Sequence, residues 1–367
     1  MTTAAGRLPL DGVRVVDVSR MLPGPLASQI LCDFGATVIR VEHPTASDSL
    51  RTFPMAPAPD HQPLAFHAIN RGKQSVVLDL KTSDGKSTFL RLLQTADVLL
   101  ESFRPGTLKN LGLDPAELHA RFPRLIICSI SGFGQTHRDR LRAGHDLTYL
   151  ARVGALSLTK EPRVPPVQFT DIAGGSWPAV CQILAALYAR DRTGAGSIID
   201  VSMAHASRAL LALALSDESG ASYNGRFFLC GSLPNYQIYE TADGGHVAVG
   251  ALEPEYFRKL LAELGLPLDL ANLNAASAAR EALRETFLSR TTKEWDAFFE
   301  PRDVMCEIVR APDDPVARSF DVNRVGVEIA GQTIHLPSPV AVPDGAAPRS
   351  TPGPVLGEHT EQILSSL

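Results

Sequence analysis

Charge and cysteine are both scarce in this chain. Charged residues make up 20% of its 367 positions, and 35 Lys plus Arg against 40 Asp plus Glu leave a net charge of −5. No protein-wide positive field exists to hold a polyanion, so nucleic-acid binding is not expected. The five cysteines, Cys32, Cys128, Cys181, Cys230 and Cys306, are odd in number and form no CxxC or Cys/His spacing, which argues for reduced thiols and against a zinc site or any other metal. Long apolar runs are missing too. The N-terminal MTTAAGRLPLDGVRVVDVS is interrupted by Asp and Arg and has no secretory h-region, and the longest helical apolar stretch, Leu210 to Leu215 with its neighbours, falls short of the roughly 18 residues of a membrane span. A cytoplasmic protein without a membrane partner is expected.

What is present is an ordinary globular balance, with 44% hydrophobic residues and enough length for two to three domains at about 150 residues each. Gly12 to Ser19 is a β-branched run, followed by a turn at Pro23, Gly24 and Pro25 and an apolar-periodic segment from Leu26 to Phe34. With Gly35 as a helix C-cap and a second β-run from Ala36 to Val41, the unit reads β-α-β. The alternation continues through strands at 75–80, 98–101 and 125–130 and a helix at 85–94, which predicts a mostly parallel sheet covered on both faces. Ser176 is placed to N-cap a helix ending near Gly194, and the strand SIIDVSM follows at Ser197.

Periodicity fails between 216 and 235, where the chain turns polar and Gly-rich. Beyond it, YQIYETADGGHVAVGA carries a hairpin signal around Asp243, Gly244 and Gly245, and Pro254 to Leu264 reads as a helix. The expected organisation is a large α/β domain from 1–215 with 320–367, a linker at 216–235, and a smaller α+β domain at 236–319. From Pro337 the chain is rich in Pro and Gly and reads as a packing strap.

Two stretches can carry chemistry: AGHDLTY, with His145 and Asp146, and TDIAGGS, with Asp171. Each sets an ionisable side chain beside Gly that permits close backbone approach. Asp171 follows an apolar strand-like segment and precedes a helix start, whose N–H groups and positive end stabilise negative charge. That suits a carboxylate base, a nucleophile or an enolate site; it equally suits a plain loop or helix cap.

Seven collinear segments from about Pro9 to near Pro339 carry a resemblance: GVRVVDVSRMLPGPLASQILCDFGATVIRVEHP, NRGKQSVVLDLK, ADVLLESFRPG, SGFGQ, AGHDLTYLARVGALS, FTDIAGGS with AALYARDRTGAGSIIDVSM, and YETADGGHVAVGALEP. Together they resemble the class III CoA-transferase (CaiB/BaiF) family, and within it the 2-methylacyl-CoA racemase branch. The resemblance implies a Rossmann-like large domain, a smaller middle domain, and two chains threaded as interlocked rings in a homodimer. It makes Asp171 the shared catalytic carboxylate, while the His of GHD, here His145, is characteristic of the racemase branch. Glu253 of ALEP is then the carboxylate that orients His145, and Asp146 is a further member of the site that binds backbone N–H groups or supports the enolate. The substrate implied is an acyl-CoA thioester, with no separate cofactor, and Arg40, Arg71, Lys73 and Arg104 are the implied partners of the CoA phosphates.

The chemistry is coherent with that set, because epimerising a thioester α-carbon needs a base on one face of a planar enolate and an acid on the other. The enolate oxygen needs donors, and the backbone at Gly174 and Gly175 is the expected source. A CoA-transferase, in which Asp171 attacks the donor thioester, is the alternative. It needs Asp171 but not His145, and it commonly carries a Gly-rich loop where this chain has only Cys230-Gly231-Ser232-Leu233-Pro234. The chain also departs from the family pattern at THRDRLRAGHD, where three Arg and a His replace Gly-Pro and small residues, and at VMCEIVRAPDD, which lacks the Pro after Cys.

Overall fold

The computed structural model describes residues 8–159, 161–216, 227–340 and 347–367. The chain divides into two units. The first contains a six-stranded parallel sheet of β1 (Arg14–Asp17), β2 (Thr37–Glu42), β3 (Gln74–Val77), β4 (Val98–Glu101), β5 (Ile126–Ser131) and β6 (Ile198–Ser202), in the order β3-β2-β1-β4-β5-β6. This is the doubly wound order, whose direction reverses between β1 and β4, and crevices at such reversals on the carboxyl side of the strands are where ligands bind. β4 forms where the sequence places it, and the other strands fall within a few residues of expectation.

Helices cover both faces because the strands are apolar on both. On one side α1 (Pro23–Asp33) packs Ala27, Ile30 and Leu31 against Val15, Val38 and Val98. On the other, α2 (Leu64–Asn70) is followed by α3 (Ser83–Gln94), whose Phe89, Leu92 and Leu93 meet Val16, Ile39 and Leu99. Thr82 caps α3 by accepting from Gly85 N. Two short helices, α4 (Thr107–Asn110) and α5 (Pro115–Arg121), lead into β5, and α6 (Asp146–Arg152) follows it.

A long helix then runs without a break from Phe169 to Thr193, as α7 (Phe169–Asp171), a π-helical turn at Ile172–Ser176, and α8 (Trp177–Thr193). Ser176 is therefore not an N-cap. It sits inside the helix with its hydroxyl donating to Asp171 O at 3.2 Å and Pro23 O at 2.8 Å. By length and composition this helix is long and apolar enough to cross a membrane, and it, not the stretch at 210–215, is the longest apolar helix among the described residues. Its Ala179, Val180, Ile183 and Leu187 belong to the sheet core, which accounts for that apolarity. The unit is completed by α9 (Met203–Ala209), the hairpin β10 (Arg324–Ile329) and β11 (Gln332–Pro337), and α15 (Thr360–Ser365).

The outer edge of β3 is closed by side chains and backbone of 357–360. His359 N donates to Ser75 O at 2.9 Å, Gly357 N to Ser75 Oγ at 2.9 Å, Val77 N to Thr360 Oγ1 at 3.1 Å, and Ser75 N to His359 Nδ1 at 3.3 Å. An edge that would otherwise offer unpaired N–H groups is thereby covered.

The second unit spans 154–164 and 211–321. Its sheet of β7 (Gln237–Glu240), β8 (His246–Val249) and β9 (Cys306–Ile308) is antiparallel in the order β7-β8-β9. Short α10 (Ala212–Leu215) precedes it, and α11 (Pro254–Glu263), α12 (Ala276–Phe287) and α13 (Thr292–Phe299) enclose a core centred on Trp295 and Phe287, with α14 (Pro315–Arg318) near its end. The expected hairpin at Asp243 to Gly245 is present.

The domain boundary needs one correction. Residues 154–164, 211–215 and 320–321, expected in the large domain, belong to the second unit, where Leu158 packs with Ala214 and Phe227. The expected linker at 216–235 lies partly outside the described residues, as does part of the strap after Pro337; Phe227 to Asn235 are within the second unit.

Candidate active site

His145, Asp146 and Asp171 all lie in the first unit, on two segments that the fold brings together. After β5 the chain turns through 132–144 and enters α6 with His145 at the N-cap in an extended conformation. Thr148 fixes that entry: its hydroxyl donates to His145 O at 2.7 Å and accepts from His145 N at 3.0 Å. The imidazole is left on an exposed residue.

Asp146 is buried and faces the start of the long helix. Its Oδ1 accepts from Thr170 N at 2.5 Å and from Asp171 N at 3.1 Å, so it satisfies two of the donors that open the helix. The carboxylate thus staples the His145 segment to the Asp171 segment. Sequence reading left its role open between structure and enolate support; the geometry gives it the structural one.

Asp171 is half-buried in the first turn of that helix rather than ahead of it, as the sequence had suggested. Burial pushes its carboxyl up, to about 6, the neighbouring Asp146 charge adds to the rise, and His145 opposes it. The π turn that follows is a local widening of the sort frequent at functional sites. It is possible because Gly174 and Gly175 carry no side chain: a Cβ at Gly174 would lie 2.7 Å from Met203 O, and one at Gly175 3.1 Å from both Met203 Sδ and Pro23 Cβ. These glycines let α9 and α1 approach the helix. The expectation that they open a helix and offer free N–H groups is corrected, since the helix begins at Phe169 and Asp146 occupies its first donors.

Tyr149, which sequence reasoning passed over, is the third buried member of this corner. Its phenol donates to Gly144 O at 2.9 Å, and its pKa is raised by burial and by Asp171 while Arg104 opposes. The signal was available, because Tyr149 is four residues beyond His145 and so falls on the same helical face.

Of the four cations expected to meet CoA phosphates, only Arg104 is exposed. It follows β4 at the reversal point and lines a cleft with Glu101, Gly106, Lys109 and Gln135. Glu101 at the foot of that cleft is raised to about 7 by burial.

Arg40, Arg71 and Lys73 are corrected to internal roles. Arg40 is 1% exposed, donates to Asp48 Oδ2 at 3.0 Å and Asn70 Oδ1 at 2.8 Å, and lies 3.8 Å from Asp17 and 3.7 Å from Glu42. Burial acts against its charge, but those three carboxylates outweigh it and hold the guanidinium above the usual arginine value. Arg71 is fully buried in a two-pronged pair with Asp33, one of its bonds at 2.7 Å. The Lys73 ammonium donates to Pro25 O at 2.7 Å, Ser28 Oγ at 2.8 Å and Asn70 Oδ1 at 3.0 Å, and burial pushes it down to about 7. A phosphate cannot reach any of the three without opening the core.

Glu253 stands in the second unit, exposed, at the N-cap of α11. Among the described residues no cluster of His, Cys, Asp and Glu is arranged to hold a metal ion.

A family model for CoA-transferase family III matches residues 10–360, and the chain belongs to that family. Its relatives include both isomerases and transferases. The human alpha-methylacyl-CoA racemase is 33% identical over 371 residues, covering 97% of this chain and 93% of that protein. A succinate–glutarate CoA-transferase from Agrobacterium fabrum is 34% identical over 395 residues, covering 98% and 96%. Among solved structures, a CaiB/BaiF family protein from Brucella suis superposes with a TM-score of 0.83 at 30% identity, covering 98% of this chain and 99% of the other.

Proposed function

We propose that this protein is an acyl-CoA racemase that interconverts 2-methylacyl-CoA epimers by proton transfer through an enolate, with His145 and Asp171 as the acid–base pair. The observation that carries the reading is the juxtaposition of the two candidate bases: Asp146, next to His145 in the chain, bonds Thr170 N and Asp171 N, and in that corner the Asp171 carboxyl is raised to about 6. A carboxyl poised near neutrality can both accept and return a proton, which is what a two-base site asks of each partner.

In this reading one base removes the α-proton, the planar enolate is held, and the other base delivers a proton to the opposite face; in the reverse direction the roles exchange. Asp146 keeps the two segments in register by its bonds to Thr170 N and Asp171 N. Arg104 with Lys109 holds the CoA phosphates at the reversal-point cleft. Glu253 orients the His145 imidazole, and two chains pair as interlocked rings; both points rest on the family resemblance. The reaction requires no cofactor beyond the CoA of its substrate.

The second reading is a CoA-transferase working through an Asp171 aspartyl-CoA thioester, favoured by the Agrobacterium relative. One experiment separates them. A single epimer of a 2-methylacyl-CoA is incubated in D2O without an acceptor acid, beside Asp171→Ala and His145→Ala variants. Deuterium at the α-carbon and drift to an even mixture, diminished in both variants, is the racemase result. No exchange, together with a hydroxylamine-trappable adduct at Asp171 once an acceptor is present, is the transferase result.

A further inference from the structure

Tyr149 is held more tightly than its place on an α6 surface turn requires. Its residue is 6% exposed, its ring meets Phe133 edge-on at 5.3 Å between centroids, and two glycines clear the space it fills. A Cβ at Gly132 or at Gly144 would lie 2.6 Å from Tyr149 Cε1, closer than real side chains approach. The ring is therefore clamped between the end of β5 and the turn before His145. From that clamp its hydroxyl donates to Gly144 O at 2.9 Å, the carbonyl of the peptide whose nitrogen is that of His145.

We propose that Tyr149 is the positioning residue for His145: its phenol pins the Gly144–His145 peptide plane and so fixes where the imidazole stands, without touching substrate. The inference rests on the racemase reading of the site. Asp171 is held separately, by Asp146, so the two bases have different anchors. Three features favour a positioning role over a purely space-filling one. Phenylalanine would fill the same clamp; the hydroxyl is spent on one backbone acceptor adjoining the catalytic candidate; and burial together with Asp171 keeps the phenol protonated and able to donate. Thr148 takes the N–H of that same peptide and the His145 carbonyl beyond it, and Tyr149 supplies the bond to its oxygen, so the plane is held from both edges.

The test uses the full chain and each pure 2-methylacyl-CoA epimer in D2O, following initial α-hydrogen exchange. In a two-base site each epimer loses its proton to one base, and His145→Gln identifies the epimer that His145 serves. Tyr149→Phe is expected to slow exchange of that same epimer by about tenfold or more, as misplacement of a reacting group does, with the other epimer within about twofold and KM little changed. Gly144→Ala, whose methyl would strike the Tyr149 ring and the Thr148 hydroxyl, disturbs the same bond with the phenol retained. It is expected to give the same one-sided loss, and it decides the matter if the phenylalanine variant does not fold. Equal slowing of both epimers, or no slowing, overturns the inference and leaves the racemase reading standing. Absence of exchange in the unmodified protein overturns the racemase reading, and this inference with it.

Discussion

The first unit contains two clusters of charged side chains, and they are built on opposite rules. Around the carboxyl ends of β1 and β2 and the amino end of β3, Arg40, Arg51, Arg71 and Lys73 face Asp17, Asp33, Glu42 and Asp48, four cations against four anions. Asp17 there also accepts from Ser19 Oγ and Ser28 Oγ at 2.5 Å each, and Asp48 accepts from the backbone of Met21. Charge is matched here even though the buried Nε atoms of Arg40 and Arg71 find no acceptor among the described residues, and the cluster serves to hold loops. At the mouth of the long helix, two carboxylates, Asp146 and Asp171, sit with one histidine. Only Asp146 has its oxygen committed to backbone donors, and burial, with the Asp146 charge adding to it, raises the Asp171 carboxyl to about 6. Pairing marks the scaffold and imperfect pairing marks the reactive site.

The sharpest way to break this comparison is Asp171→Asn. Exchange of substrate α-hydrogen is expected to fall by about 10³-fold, measured by deuterium incorporation, and a variant retaining near-normal rates would remove Asp171 from the site. On the scaffold side, Arg71→Met strands the Asp33 carboxylate in the core and is expected to cost about 3–5 kcal/mol of stability in denaturant unfolding. A loss no larger than that of a surface substitution would mean the cluster is not the brace it resembles.

Stability against pH sharpens the contrast further. The Asp171 carboxyl has a folded value of about 6 against an ordinary 3.8, so the folded state binds its proton more strongly and stability declines as pH rises through that window. Asp171→Asn removes the decline, and at pH 8 it is expected to be more stable than the parent by about 1–2 kcal/mol, after discount for partial exposure. The same substitution that abolishes turnover thus raises the melting temperature. The smallest effect is on substrate affinity: Arg104→Ala is expected to raise KM for an acyl-CoA by about tenfold with kcat nearly unchanged, whereas Arg40→Met should lower stability without a selective change in KM.

The comparison also explains what could be read in advance. β-branched runs and glycine turns located the strands because each strand's pattern is set by its own residues, and the parallel sheet followed from the α/β alternation, whereas the strand order depends on long-range pairing and is seen only in the fold. Arg40 was misassigned because a matching motif says nothing of burial. Its position in TVIRVE, within a parallel strand covered on both faces, was the available warning. Ser176 was taken for a helix cap because Ser followed closely by Pro is a common start signal. What continues the helix back to Phe169 is the bond of its hydroxyl to Asp171 O and the approach of α9 and α1 over two glycines, contacts between segments far apart in sequence. The spacing of Tyr149 from His145 was legible, but the clamp of Gly132 and Gly144 around its ring is made only by the folded turn.

The closure of β3 by residues 357–360 has a consequence for how this molecule is made. During synthesis, β3 emerges some 280 residues before the segment that covers its Ser75 and Val77 donors. A growing chain therefore carries an open strand edge throughout the synthesis of those intervening residues, and such an edge recruits foreign strands. Completion of the first unit waits until residues 357–360 have been made. A molecule shortened before Gly357 should accumulate as aggregate even with its reactive corner fully encoded.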